Sequence, residues 1–176
     1  MTRLYGYFRS SAAYRVRIAL NLKNIAYENA FVSLTRGEQH KAFAALNPQR
    51  LVPALETDGA LLIQSLAIIE YLEETHPNPP LLPRAARDRA RVRALAQMVA
   101  CAIHPLNNLR VLGYLVKTLG ATEPQKTAWY RHWIAEGLAA IEASLARDPA
   151  TGAFCHGAQP TIADVCLVPQ VANARR

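Results

Sequence analysis

The chain reads as an α/β unit followed by an all-α one, and three observations predict this. Short apolar, strand-like runs alternate with helix-period segments up to residue 76. A proline-rich connector, His76-Pro77-Asn78-Pro79-Pro80, interrupts the pattern. Beyond residue 84 the periodicity is helical almost throughout. With 176 residues, 51% of them hydrophobic, the chain can bury one sizeable core or two modest ones. The expected boundaries are 1–76 for the first domain, 77–84 for the linker and 85–176 for the second domain.

Residues 4–8, Leu-Tyr-Gly-Tyr-Phe, form an apolar and aromatic run suited to a buried strand, and Ser10-Ser11 supply capping side chains for a helix beginning near Ala12. Val16, Ala19, Leu20 and Lys23 recur at spacings of three and four, with a stop after Leu22 marked by Asn24. Residues 25–34 predict a second strand and 38–46 a second helix, which Asn47-Pro48 breaks. Asp58-Gly59 is the strongest two-residue hairpin signal in the chain and joins strands near 52–55 and 60–63. Ser65 is placed to cap a helix through Glu74 that Pro77 ends. The order is βαβαββα.

In the second domain helices are expected over about 84–117, over about 123–146 and from Thr161. Pro105 lies inside the first and predicts a kink. Thr161-Ile162-Ala163-Asp164 is a capping-box variant after Pro160. The helix it starts is expected to be interrupted at Pro169, and no terminating glycine precedes Arg176, so the domain reads as incomplete at its C-terminus.

The formal net charge of +7 raises the question of nucleic acid. The densest basic run, 84–93, has Arg87/Arg91 and Arg89/Arg93 at i,i+4 spacing beside Val92, Leu95 and Ala96, the pattern of an amphipathic helix with a solvated basic face. A small anionic partner fits that charge better than a polymer. Cys101, Cys155 and Cys166 form no C-x-x-C pair and sit among apolar neighbours, as reduced core thiols do. Strand-like sequence begins by Arg3, too early for a secretory leader, and no apolar run approaches the ~20 residues of a membrane span. A cytoplasmic protein is expected.

The strand exit at Ser10-Ser11 gathers two hydroxyls and unpaired backbone N–H groups, a site that favours an anion such as a thiolate. A free thiol has a pKa near ~8.5 and is mostly protonated at neutral pH, so such a site would activate it. No cysteine lies nearby, so a thiolate would have to arrive with a cofactor. Considered alone, a serine pair before a helix is more often a cap than a catalytic site. No Gly-x-Ser-x-Gly elbow is present, and His40, His76, His104, His132 and His156 fall in no triad or metal spacing.

Residues 8–20, Phe-Arg-Ser-Ser-Ala-Ala-Tyr-Arg-Val-Arg-Ile-Ala-Leu, resemble the signature of zeta-class glutathione transferases, the maleylacetoacetate isomerase family. Leu46-Asn47-Pro48, Val52-Pro53, the run 64–72, Ile162-Ala163-Asp164 and the run 167–171 extend the likeness over nearly the whole chain. The resemblance implies a glutathione transferase fold, with a thioredoxin-like N-terminal domain and a helical substrate domain in a homodimer. It implies that Ser10 stabilises the glutathione thiolate beside Ser11, with Ala12 and Gln39 also near the cofactor. Pro53 would be cis and present the Val52 backbone, and Gln64 and Ser65 would hold the γ-glutamyl carboxylate. Arg9 joins the two serines as a catalytic candidate. Substrate carboxylates would fall to Arg9, His104, Asn108, Arg110 and Arg176. Two positions depart from the signature: Ala12 replaces its cysteine and Tyr14 its tryptophan.

The implied reaction is isomerisation of 4-maleylacetoacetate to 4-fumarylacetoacetate by thiolate addition, rotation and elimination, without a metal. Maleylpyruvate isomerisation is the near alternative, followed by a transferase acting on α-halo acids, and then by a thioredoxin-fold binding module without turnover.

Overall fold

A computed structural model describes residues 1–176 and divides into two compact units, Met1–Leu82 and Pro83–Arg176. The first contains β1 (Arg3–Gly6), α1 (Ser11–Leu22), β2 (Glu28–Phe31), a 3-10 turn at Glu38–His40, α2 (Ala42–Leu46), β3 (Ala54–Thr57), β4 (Ala60–Ile63) and α3 (Ser65–Thr75). Strand order is β2-β1-β3-β4; β1 and β2 are parallel, while β3 is antiparallel to both β1 and β4. Asp58 and Gly59 both have positive φ, at 50° and 75°, as the tight hairpin between β3 and β4 requires.

Successive side chains of a strand point to opposite faces, so the sheet carries two cores. Tyr7, Val32, Phe43, Val52 and Ala54 cluster on one, with Tyr5 and Ile63 packed against them. Leu4 and Leu55, partners in register, belong to the other, together with the buried faces of α1 and α3. The helix expected over 38–46 is instead a 3-10 turn and a short α2. Gly37 enters in the left-handed region and Lys41, at φ −107° and ψ −130°, breaks the ladder between them.

One feature of this unit is electrostatic and buried. Lys23 at the end of α1 reaches Glu73 of α3 at 2.7 Å and also donates to the carbonyls of His76 (2.6 Å) and Pro79 (3.0 Å). Glu73 in turn accepts from the N–H groups of Leu81 (2.9 Å) and Leu82 (3.2 Å). The proline-rich segment, whose Asn78–Pro79 bond is cis, is thereby tied to the helices before it.

The second unit comprises α4 (Ala86–Gln97), a π-helical stretch at Met98–Ile103, a 3-10 turn at His104–Asn107, α5 (Leu109–Lys117), α6 (Glu123–Arg147) and α7 (Ile162–Ala174). The single helix expected over 84–117 is therefore broken, and Pro105 stands in the first turn of the 3-10 segment. The basic run is also more than a solvated face. Arg91 donates to Asp148 (2.6 Å), the Cys155 carbonyl (2.7 Å) and Thr151 (2.8 Å), fastening the loop between α6 and α7 to α4. In that loop Gly152 passes so close to Gly157 that a Cβ would lie 2.4 Å from its carbonyl oxygen.

Asp164 closes the start of α7, accepting from the Thr161 N–H (2.8 Å) and from the Cys155 N–H (2.8 Å). Contrary to expectation α7 is not interrupted at Pro169. The proline lies inside it and is buried, because losing one N–H rung costs less there than exposing the apolar face of Val165, Cys166 and Pro169. Cys101 is also corrected: it lies exposed on the π-helical stretch, whereas Cys155 and Cys166 are buried. Burial pushes the Cys155 thiol up to about 12, helped by its neighbour Asp164. No helix is long and apolar enough to cross a membrane.

Candidate active site

The chain leaves β1 through Tyr7, Phe8 and Arg9 and turns into α1 at Ser10, whose N–H donates to the Tyr7 carbonyl (3.0 Å). Ser10 is the N-cap of α1, and its Oγ accepts from the Ala13 N–H at 3.2 Å. A hydroxyl that accepts in this way keeps its own proton to donate. The N–H groups of Ser11 and Ala12 occupy the first two helical positions, which have no intrahelical acceptor. Ser11 is buried and Ser10 half-buried. The end of α1 thus offers a hydroxyl, two amides and the positive pole of the helix to one anion.

A second helix start lies beside it. Gln64 is the N-cap of α3, held at φ 70° and ψ 118°, and Ser65 is the first helical residue rather than the cap. Arg15 of α1, 2% exposed, donates from Nη1 to Ser65 Oγ at 3.2 Å, so the two helices are joined near their N-terminal ends. Gln64 Nε2 donates to Gln49 Oε1 at 2.7 Å, linking the start of α3 to the loop ahead of β3. That loop is organised by Asn47, 1% exposed, whose side chain donates to the Leu51 carbonyl (2.8 Å) and accepts from the Gln49 N–H (3.0 Å).

The loop delivers Val52, joined to Pro53 by a cis peptide bond. Val52 is buried, yet its N–H and C=O enter no backbone hydrogen bond. Buried backbone groups are paired in the great majority of cases, so Val52 stands out as a residue whose backbone is left for another partner. Gln39 Oε1, in the 3-10 turn, is likewise removed from solvent without a partner. The tripeptide that the family resemblance implies would bring a backbone to Val52, a carboxylate to the start of α3 and a thiolate to the start of α1.

Arg9 is exposed at the strand exit. Arg17 is turned to structural use: it donates to the Phe8 carbonyl (3.2 Å) and stacks over the Tyr14 ring (5.2 Å to the centroid). In the second unit His104 opens the 3-10 turn and Asn108 caps α5, accepting from the Arg110 N–H at 3.0 Å. Arg110 is exposed in the first turn of α5, and Arg176 follows α7, donating to the Ala172 carbonyl (3.4 Å). No group of three or more His, Cys, Asp or Glu side chains comes together to hold a metal.

Arg15, Asn47 and Gln49 went unassigned on sequence reasoning. Asn47-Pro48 stood out as a break and as part of the family likeness but with no role for the Asn47 side chain, and nothing in a helical Arg15 announces burial.

The sheet and its helices define a thioredoxin-like domain, followed by a helical domain. Residues 4–80 match the glutathione S-transferase N-terminal domain and 127–176 the C-terminal domain of the same family. The maleylacetoacetate isomerase of Rhizobium meliloti is 55% identical over 177 residues, covering 99% of this chain and 82% of that protein. A holo structure of maleylpyruvate isomerase, described as a bacterial zeta-class glutathione S-transferase, superposes with a TM-score of 0.96 at 55% identity over 99% of this chain and 82% of that one. Maleylacetoacetate isomerase from Methylobacterium extorquens AM1, solved with malonate and glutathione bound, gives 0.95 at 47% identity over 98% and 82%. The chain belongs to the glutathione S-transferase family, within its zeta class.

Proposed function

We propose that this protein is a glutathione-dependent isomerase converting 4-maleylacetoacetate to 4-fumarylacetoacetate. The observation that carries the reading is Ser10, whose Oγ already accepts from Ala13 and so keeps its proton for an anion at the start of α1. Bound glutathione supplies a thiolate nucleophile whose reversible addition lets the cis double bond rotate. Ser10 donates to the sulfur, and the Ser11 and Ala12 N–H groups add the field of the helix end. Val52 pairs with the cysteinyl backbone ahead of Pro53; Gln64 and Ser65 take the γ-glutamyl carboxylate, and Gln39 contributes a further polar contact. Arg9, His104, Asn108, Arg110 and Arg176 are assigned to the substrate carboxylates, for which arginine offers a bidentate fork. Residues 1–76 act as the glutathione domain and 85–176 as the substrate domain, in a cytoplasmic homodimer whose mass sedimentation would read.

A second reading, maleylpyruvate isomerisation, is favoured by the maleylpyruvate isomerase structure at 55% identity. Initial rates with both maleyl acids, with glutathione followed in parallel, separate the alternatives. The first reading expects turnover of maleylacetoacetate with no net loss of glutathione. Activity confined to maleylpyruvate selects the second, and stoichiometric consumption of glutathione overturns isomerisation in favour of a transferase.

A further inference from the structure

The stretch that carries His104 and Asn108 has no continuous α-helical ladder to hold it. Met98–Ile103 is π-helical, His104–Asn107 is a 3-10 turn, and Asn108 already stands outside as the cap of α5. Departures of this kind from α-helical spacing leave a segment placed by what it lies against, and they concentrate at functional sites. Here it lies against α6.

Two contacts fix it, one on each side of His104. Ile103, 1% exposed, fits a notch at Gly137, where a Cβ would stand 2.2 Å from its Cγ1 and 2.5 Å from its Cδ1. Only glycine leaves that notch open. Two turns earlier on α6, Trp129 Nε1 donates to the Leu106 carbonyl at 2.8 Å. Positions 129, 133 and 137 share one helix face at i,i+4 spacing. Trp133 between them packs edge-on against Trp129, with ring centroids 5.6 Å apart, which braces the indole that makes the bond.

We propose that Gly137 and Trp129 are positioning residues for the substrate: without touching it, they set where His104 and Asn108 stand and so the affinity for the dicarboxylate. The inference rests on the assignment of His104 and Asn108 to substrate binding. Its signature is a change in KM for the maleyl acid with kcat and glutathione affinity nearly unchanged.

Trp129→Phe keeps an aromatic ring on this face but removes the donor to Leu106 together with part of the indole, and is expected to raise KM at least about fivefold, what one lost hydrogen bond is worth. Gly137→Ala forces Ile103 aside and is expected to raise KM about tenfold or more. The double variant Gly137→Ala/Ile103→Ala relieves the clash and is expected to recover most of the KM, although removal of a buried isoleucine makes it the least stable of the set. A merely structural role predicts the opposite ranking, with KM following thermal stability. Should Gly137→Ala fail to fold, Trp129→Phe decides alone. His104→Ala and Asn108→Ala test the underlying assignment: unchanged KM in both removes the assignment and the inference with it. If those two raise KM while Trp129→Phe and a folded Gly137→Ala leave it at the wild-type value, the positioning role alone is overturned.

Discussion

Replacing Glu73 by glutamine separates charge from shape at the most buried ion pair of the N-terminal unit. Lys23 and Glu73 side chains are 0% and 9% exposed, and the carboxylate also accepts two backbone N–H groups. Breaking a buried pair from one side costs about 3–5 kcal/mol, because the remaining charge keeps its desolvation penalty and loses its counter-charge. In Glu73→Gln the Lys23 ammonium retains the His76 and Pro79 carbonyls, but the single amide oxygen replaces only one of the two carboxylate oxygens and leaves either the Leu81 or the Leu82 N–H without its acceptor, so a cost of at least ~3 kcal/mol is expected. With a urea m-value of about 2 kcal/mol/M, the midpoint followed by circular dichroism should fall by about 1.5 M. Lys23→Met should cost a similar amount. The double variant should cost little more than either single one, because the two residues act as a unit. A midpoint shift under about 0.3 M for Glu73→Gln, or strict additivity in the double variant, would refute this account of the pair.

Two further predictions concern the helical unit. A thiol-reactive probe should label Cys101 in the native protein and all three cysteines in denaturant, since Cys101 is exposed while burial holds the Cys155 thiol at about 12; rapid native labelling of Cys155 would contradict its place under Asp164. Asp148 has its pKa lowered, first by the Ala150 N–H and then by Arg91, so its contribution to stability is complete above the usual carboxylate value of about 3.9 and disappears as pH falls through the lowered folded value. Acid unfolding profiles of wild type and Asp148→Asn should therefore converge at the acid end and separate above it.

Sequence reasoning reached the parts of this molecule whose causes are local. Asp58-Gly59 dictates its hairpin because few residue pairs accept positive φ twice, and Thr161 with Asp164 announces a helix start by its own hydrogen bonds. Ser10 was legible as a cap for the same reason, and family likeness supplied glutathione. What escaped depends on partners distant in sequence. Lys23 meets Glu73 only once α1 packs on α3, and Arg91 finds its partners only because a loop some sixty residues later folds against it. The π-helical stretch before His104 has no composition of its own, and the glycine against which its Ile103 packs lies on α6, far along the sequence. Pro169 misled because a proline rule written for exposed helices was applied to a buried one.

The central claim is that the start of α1 stabilises a thiolate through Ser10. Its most direct test is the pH titration of glutathione bound to the protein, followed by the ultraviolet absorbance of the thiolate in wild type and in Ser10→Ala. The account predicts a bound pKa about two units below the free value of ~8.5, equivalent to roughly 2.7 kcal/mol, and a return toward ~8.5 in the variant. A bound thiol titrating near ~8.5 in the wild type, or identical curves for the two proteins, would contradict it.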